Sequence, residues 1–241
     1  MSEQNGFDKD NLVWLLDDEF GPDQINQLRE IFRKRGYDLA VSRSDTFKKD
    51  YPKYAPHAKG ILLQVGFVLC EEDIKGLTSC QIISVTGIGF NDLDLDAAIK
   101  YGILATNVPG FCVEEVSDHT MALILALNRR LRECQEMITK GVWRAADIGP
   151  MRRLRGQVLG LVGFGRIARE VARKAKCFGL RVKAYDPYLP NSKEEGLAVE
   201  LVDFDDVITS SDILSLHVPL NEETYHLVDF SVFKTMKETA Y

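Results

Sequence analysis

The stretch Gly163-Phe164-Gly165-Arg166-Ile167-Ala168 follows an apolar run over residues 158–162 and leads into a helix-like pattern. A G-x-G-x-x-G/A sequence between a strand and a helix is the turn of a βαβ unit that binds a dinucleotide. Each position has a physical task. Gly163 permits the tight turn, Gly165 lets a pyrophosphate approach the backbone, and Ala168 lets the helix pack closely on the sheet. The N–H groups of Arg166 and Ile167 open the helix, where the dipole favours an anion. Asp186 ends the next apolar stretch, at about the 20-residue spacing expected of the acid that meets the adenosine ribose. Its charge repels a 2′-phosphate, and no arginine follows in Asp186-Pro187-Tyr188. The pattern therefore predicts NAD, not NADP, as cofactor.

The rest of the chain alternates in the same style. Strands are expected over residues 11–17, 37–42, 60–65, 81–85 and 103–106. Helices are expected over 22–35, 71–77 and 94–101, the first on the spacing of Ile25, Leu28, Ile31 and Phe32. The charged stretch 43–53 is expected to be a loop. After the glycine motif come a helix over 166–178, strands over 181–185, 199–202 and 213–216, and helices over 204–210 and 231–237. Such alternation predicts an α/β protein with parallel sheets covered by helices. Between the two halves, residues 113–139 are expected to form one long helix. Met121, Leu123, Ile124, Leu125 and Leu127 make its centre apolar on nearly every side, so it belongs in a core or an interface.

Charge and composition exclude several classes. The 36 acidic and 30 basic residues are interspersed and sum to −6, which offers no basic face for nucleic acid. No apolar run reaches the roughly 18 residues of a membrane helix, and the polar start Met-Ser-Glu-Gln-Asn-Gly carries no signal-peptide pattern. The five cysteines are scattered without metal-ligand spacing, which predicts reduced thiols, no metal and a cytoplasmic setting.

Several motifs in fixed order resemble one family, the D-isomer-specific 2-hydroxyacid dehydrogenases, with most similarity to the C-terminal binding protein and phosphoglycerate dehydrogenase-like branch. They are Gly87-Ile88-Gly89-Phe90-Asn91-Asp92-Leu93-Asp94, Asn107-Val108-Pro109-Gly110, Glu115-Val116-Ser117-Asp118-His119-Thr120, the glycine motif with its strand, Tyr185-Asp186-Pro187-Tyr188, and Ser211-Asp212-Ile213-Leu214-Ser215-Leu216-His217-Val218-Pro219-Leu220. The resemblance implies a flavodoxin-like substrate domain over residues 1–106. It implies a Rossmann NAD-binding domain over 107–241, incomplete at its C-terminus, whose first helix packs across a homodimer. It implies a small 2-keto or 2-hydroxy acid as substrate, met by the nicotinamide in the cleft between the domains. Gln64, Val65 and Gly66, with Gly87, Ile88 and Gly89, match segments that hold a substrate carboxylate by backbone N–H groups. Val218 and Pro219 match a loop lining the adenosine half of NAD, with Thr224 close behind. Two departures stand out. The family usually reads Asp-Asn where this chain has Asn91-Asp92, and Val85 aligns with an arginine of the C-terminal binding protein branch.

Hydride transfer to a keto acid needs a guanidinium for the carboxylate, a general acid for the carbonyl oxygen, and a carboxylate to orient that acid. The family's arginine, glutamate and histidine for these roles fall beyond the segment that residues 234–241 resemble. Among the histidines, His119 sits beside Asp118 on the interdomain helix, and His226 precedes Leu227-Val228 as a packing residue. His217 follows a strand near the cofactor loop, where it serves either the cofactor or a structural hydrogen bond. No catalytic residue is assigned, and little or no turnover is expected from this chain alone. The alternatives to a dehydrogenase are an NAD-binding regulator of corepressor type and an inert fragment with an unpaired sheet edge.

Overall fold

The computed structural model describes residue 8 and residues 10–189, 193–194 and 196–241. The polar N-terminal hexapeptide lies outside the described residues. The chain forms two compact units, Met1–Phe111 and Cys112–Tyr241, dividing five residues beyond the expected boundary.

In the first unit the elements run β1 (Leu12–Leu16), α1 (Pro22–Arg33), β2 (Asp38–Ser42), α2 (Phe47–Tyr54), β3 (Ala58–Leu63), α3 (Glu71–Lys75), β4 (Ile82–Val85), α4 (Leu95–Lys100) and β5 (Leu104–Thr106). The strands form one parallel sheet in the order β2-β1-β3-β4-β5, the flavodoxin-like order. β1 is buried at every position, as a central parallel strand covered on both faces must be.

The stretch expected to be a loop contains α2 instead. Its charges concealed an apolar stripe: Phe47, Tyr51 and Tyr54 fall at i, i+4 and i+7 and all pack around the buried Trp14, with Phe47 stacked at 5.5 Å. The indole N–H donates to Ser42 Oγ at 2.9 Å, so the polar edge of Trp14 is also satisfied.

The sheet order reverses between β1 and β3, and the crevice at the C-terminal ends of those strands is where such sheets bind ligands. Asp17, fully buried at the end of β1, accepts from Arg43 Nη1 at 2.7 Å and from the Phe20 N–H at 2.9 Å. These bonds fix the loop that flanks the crevice.

The second unit begins with α5 (Val113–Asn128) and α6 (Leu131–Thr139), where one helix was expected. The break is at Arg130, which takes a left-handed conformation with φ 50°. That conformation costs about 1–2 kcal/mol outside glycine. It is offset by tertiary bonds at the junction: the Arg130 guanidinium donates to the Ile148 carbonyl, and Asn128 Nδ2 donates to Tyr241 Oη at 2.9 Å. Local propensity could not reveal partners so distant in sequence. The apolar centre of α5 is also divided. Met121 and Ile124 are buried, whereas Leu123 and Leu127 are 53% and 60% exposed.

A short 3-10 turn (Ala145–Ile148) precedes β6 (Val158–Val162), α7 (Arg166–Cys177), β7 (Arg181–Tyr185), β8 (Lys193–Glu194), β9 (Val199–Leu201), α8 (Phe204–Ser210), β10 (Ile213–Leu216) and α9 (Phe230–Thr235). The order β10-β6-β7-β9 is parallel throughout, with β8 added antiparallel to β9. This is the Rossmann arrangement, in which the connection after β9 crosses back to the far side of β6. α7 buries Ala168, Val171, Ala172 and Ala175 against the sheet and against Met121 and Ile124 of α5. Lys174 pins the two helices together, donating to Ser117 Oγ at 2.7 Å, Asp118 Oδ1 at 2.7 Å and Glu114 Oε2 at 2.9 Å. No helix among the described residues is long and apolar enough to cross a membrane.

Candidate functional site

The second sheet changes direction between β6 and β10, and the loops leaving those two strands abut. Gly163 follows β6 with φ +87°, a conformation open to glycine and strained for other residues. A Cβ there would lie 2.6 Å from the His217 carbonyl oxygen, at the end of β10. The next loop residue donates to the acid expected on the neighbouring strand: Phe164 N–H to Asp186 Oδ2 at 2.9 Å. Asp186 Oδ1 accepts the Tyr188 N–H at 3.0 Å. Each carboxylate oxygen so held retains a lone pair for a ligand hydroxyl.

Around this junction lies a cavity of about 300 Å³. Its wall includes Gly163, Gly165, Asp186, Pro187, His217, Val218, Pro219 and Thr224, so predictions made from separate parts of the sequence converge on one place. Gly165 is the N-cap of α7, and a Cβ built on it would meet nothing within 4 Å. That open space lies at the positive end of a 12-residue helix, where an anion is favoured. Arg166 and Ile167 form the helix's first turn, where backbone N–H groups point out of the helix end.

Phe164 contributes differently from its neighbours. Its side chain is buried in the core beneath the Arg169 guanidinium, and the residue reaches the site only through the bond of its N–H to Asp186. His217 Nε2 lies 3.0 Å from Ser215 Oγ, and burial pushes its imidazole below the ordinary value. It lines the wall of the cavity. Thr224 locks the loop after β10: the Asn221 N–H donates to Thr224 Oγ1 at 2.9 Å, and the Thr224 N–H to Asn221 Oδ1 at 2.9 Å.

The cavity also uses Tyr185, Tyr188, Asn221, Glu223 and Leu227, which sequence reasoning did not single out. Tyr188 was within reach, as part of the motif that carries Asp186. Nothing local marks Glu223, whose place is set by the fold of the loop.

In the first unit, Gln64-Val65-Gly66 leaves β3 and Gly87-Ile88-Gly89 leaves β4, so both turns stand at the C-terminal edge of the sheet. They touch: a Cβ on Gly87 would lie 2.6 Å from Val65 Cγ2. Gln64 is tied sideways, accepting from the Thr86 hydroxyl and donating to Glu19 Oε2 at 3.0 Å. The Gly66 N–H is engaged by Asp92 Oδ2 at 2.6 Å. The unusual Asn91-Asp92 order therefore places a carboxylate on an amide expected to serve a ligand. The amides of Val65, Gly87, Ile88 and Gly89 have no protein acceptor among the described residues.

Among the described residues no group of three His, Cys, Asp or Glu side chains could hold a metal. All five cysteines are free, and burial pushes the Cys80 thiol up to about 11, which makes it a poor nucleophile.

A Rossmann sheet with a glycine turn at a helix N-terminus and an acid at the end of the next strand is the pattern of a dinucleotide-binding fold. Residues 121–241 match the family model described as the D-isomer specific 2-hydroxyacid dehydrogenase, NAD binding domain. The chain belongs to the D-2-hydroxyacid dehydrogenase family and carries its NAD-binding domain. It is 36% identical over 176 residues to a glyoxylate reductase of Thermococcus litoralis, covering 70% of this chain and 53% of that one. Its fold matches an NAD-dependent formate dehydrogenase of Staphylococcus aureus in complex with NAD, with TM-score 0.85 and 25% identity over 95% of this chain and 72% of that one. It also matches a D-lactate dehydrogenase of Aquifex aeolicus complexed with NAD and lactic acid, with TM-score 0.84 and 27% identity over 96% and 67% of the two chains. The chain spans about half the length of the curated relatives it matches.

Proposed function

We propose that this chain is the NAD- and carboxylate-binding part of an oxidoreductase that moves hydride between NAD(H) and a small 2-hydroxy or 2-keto acid. The observation that carries the reading is the cavity where β6 and β10 part, with Gly165 open to an anion and Asp186 anchored for a ribose. Bound there, NAD supplies the hydride acceptor and, reduced, the donor. The residues of the chain bind and orient. The α7 amides hold the pyrophosphate, Asp186 and Pro187 receive the adenosine ribose, and Val218, Pro219 and Thr224 line the opposite wall. In the first unit, the free amides of Val65, Gly87, Ile88 and Gly89 receive a carboxylate. The names of the Thermococcus and Aquifex relatives support a small 2-hydroxy or 2-keto acid as its source.

The protein works in this reading as a homodimer. Leu123, Leu127, Leu131, Ile138 and Trp143 on or beside α5 and α6 are exposed, Trp143 at 89%, and offer apolar surface for a second copy to cover. The free thiols fit a reducing, cytoplasmic setting.

The substrate half is tested by amide NMR of the NADH-loaded chain. Glyoxylate added to millimolar levels is expected to shift the resonances of Val65, Gly87, Ile88 and Gly89, leaving Gly66 comparatively still because Asp92 holds it. Shifts confined to other residues, or none, would remove the carboxylate assignment while leaving the dinucleotide site standing.

A further inference from the structure

The dinucleotide cavity is closed on one side by two loops from different strands. Tyr188, just beyond β7, donates its hydroxyl to Glu223 Oε2 at 3.1 Å, and Glu223 belongs to the loop after β10. The bond bridges positions 35 residues apart, yet Tyr188 is 79% exposed. It is a rim contact over the opening, not a core contact. The same tyrosine's N–H is bound to Asp186, so Asp186, Tyr188 and Glu223 form one connected series along the adenosine wall.

The charge of that wall is one-sided. Asp186 and Glu223 both line the cavity, and its described lining includes no lysine or arginine. The cation nearest in sequence, Arg166, follows Gly165 and is not among the lining residues. A phosphate monoester carries about −1.5 to −2 charge near neutral pH and needs cationic donors to be bound. Two carboxylates acting across a partly enclosed cavity repel it more strongly than they would in open water.

We propose that Glu223, held in place by Tyr188, is a second determinant of coenzyme choice that rejects a 2′-phosphate independently of Asp186. The inference rests on the dinucleotide reading of the cavity. Glu223 contributes from the opposite loop, so removing Asp186 alone leaves the adenosine wall anionic and does not admit NADPH. Selection of this kind works by repelling the wrong ligand and need not add affinity for the right one. Tyr188 is a positioning residue here, since its hydroxyl fixes where the Glu223 charge stands. The pair's influence is mutual, as Glu223 pushes the Tyr188 phenol above its ordinary value.

The test compares the dissociation constants of NADH and NADPH, by fluorescence titration, for the unaltered chain and for Glu223→Gln, Glu223→Lys, Tyr188→Phe and Asp186→Ala. The unaltered chain should prefer NADH. Glu223→Gln should narrow the preference about tenfold and Glu223→Lys further, chiefly by tightening NADPH. Tyr188→Phe should fall between the unaltered chain and Glu223→Gln, and Asp186→Ala should weaken NADH without producing useful NADPH binding. Circular dichroism establishes that each variant is folded. If the Glu223 variants leave the NADPH-to-NADH ratio unchanged, or weaken both coenzymes equally, Glu223 is not a selector and the proposal is overturned. If the unaltered, folded chain binds neither coenzyme, the dinucleotide reading itself fails, an outcome distinct from the first.

Discussion

Gly163→Ala is expected to weaken NADH binding about a hundredfold and to destabilise the second unit. The methyl group would have to lie 2.6 Å from the His217 carbonyl oxygen and 2.9 Å from its carbon, both backbone atoms at the end of β10. The φ of +87° adds strain of about 1–3 kcal/mol for a residue with a Cβ. Overpacking against a backbone that cannot rotate away costs about 1–3 kcal/mol more. The strands cannot part cheaply, because β6 and β10 are joined in a ladder from Leu159–Ile213 to Val162–Leu216. A loss of about 3 kcal/mol, if it falls on the binding geometry, is about a hundredfold in affinity. Gly165→Ala separates fold from site. Its Cβ meets nothing and its φ of −77° suits any residue, so stability should hold while the methyl group fills the pyrophosphate cradle. Urea unfolding and NADH titration of the two variants should thus give opposite patterns: both properties lost in the first, binding alone in the second.

Asp186→Ala is expected to weaken NADH about 10- to 100-fold with a smaller loss of stability. The carboxylate organises the site before it meets a ligand. It holds the Phe164 N–H, which fixes the glycine turn, and the Tyr188 N–H, which fixes the loop beyond β7. Hydrogen bonds to a charged acceptor are each worth about 1.5–3 kcal/mol. The Tyr188 amide is exposed and regains part of this from water, whereas the buried Phe164 amide does not, so the loss divides between the glycine turn and the ribose contact. Calorimetric titration measures it. An Asp186→Ala protein that bound NADH as tightly as the unaltered chain would show that the ribose lies elsewhere.

The candidate cofactor site was legible because its requirements are local. A turn that must reach φ +87°, a helix start without a side chain and an acid one strand later leave marks in a short stretch of sequence. The loop 218–224 is different: its residues were reached by family resemblance, and Glu223 by neither route, because its place depends on the Asn221–Thr224 turn and on Tyr188. Helix α2 escaped because the lysines and aspartates between Phe47, Tyr51 and Tyr54 masked a stripe that has meaning only against Trp14. The break at Arg130 escaped because its compensating carbonyl, at Ile148, lies 18 residues away. In the first unit the motif picked out two turns that the fold brings side by side, yet it treated all their amides alike. The Asp92 carboxylate on Gly66 distinguishes one of them, and that contact is set where the two loops pair, at the parallel bridge between Leu69 and Leu93.

The central claim is that the cavity between the ends of β6 and β10 binds NAD in this chain as it stands. Isothermal titration of NADH into the 241-residue protein tests it most directly. Saturable binding at one site per chain is expected, lost in Gly165→Ala without loss of fold. A folded, monodisperse protein that gave no saturable heat, or one whose Gly165→Ala variant bound NADH equally well, would contradict it.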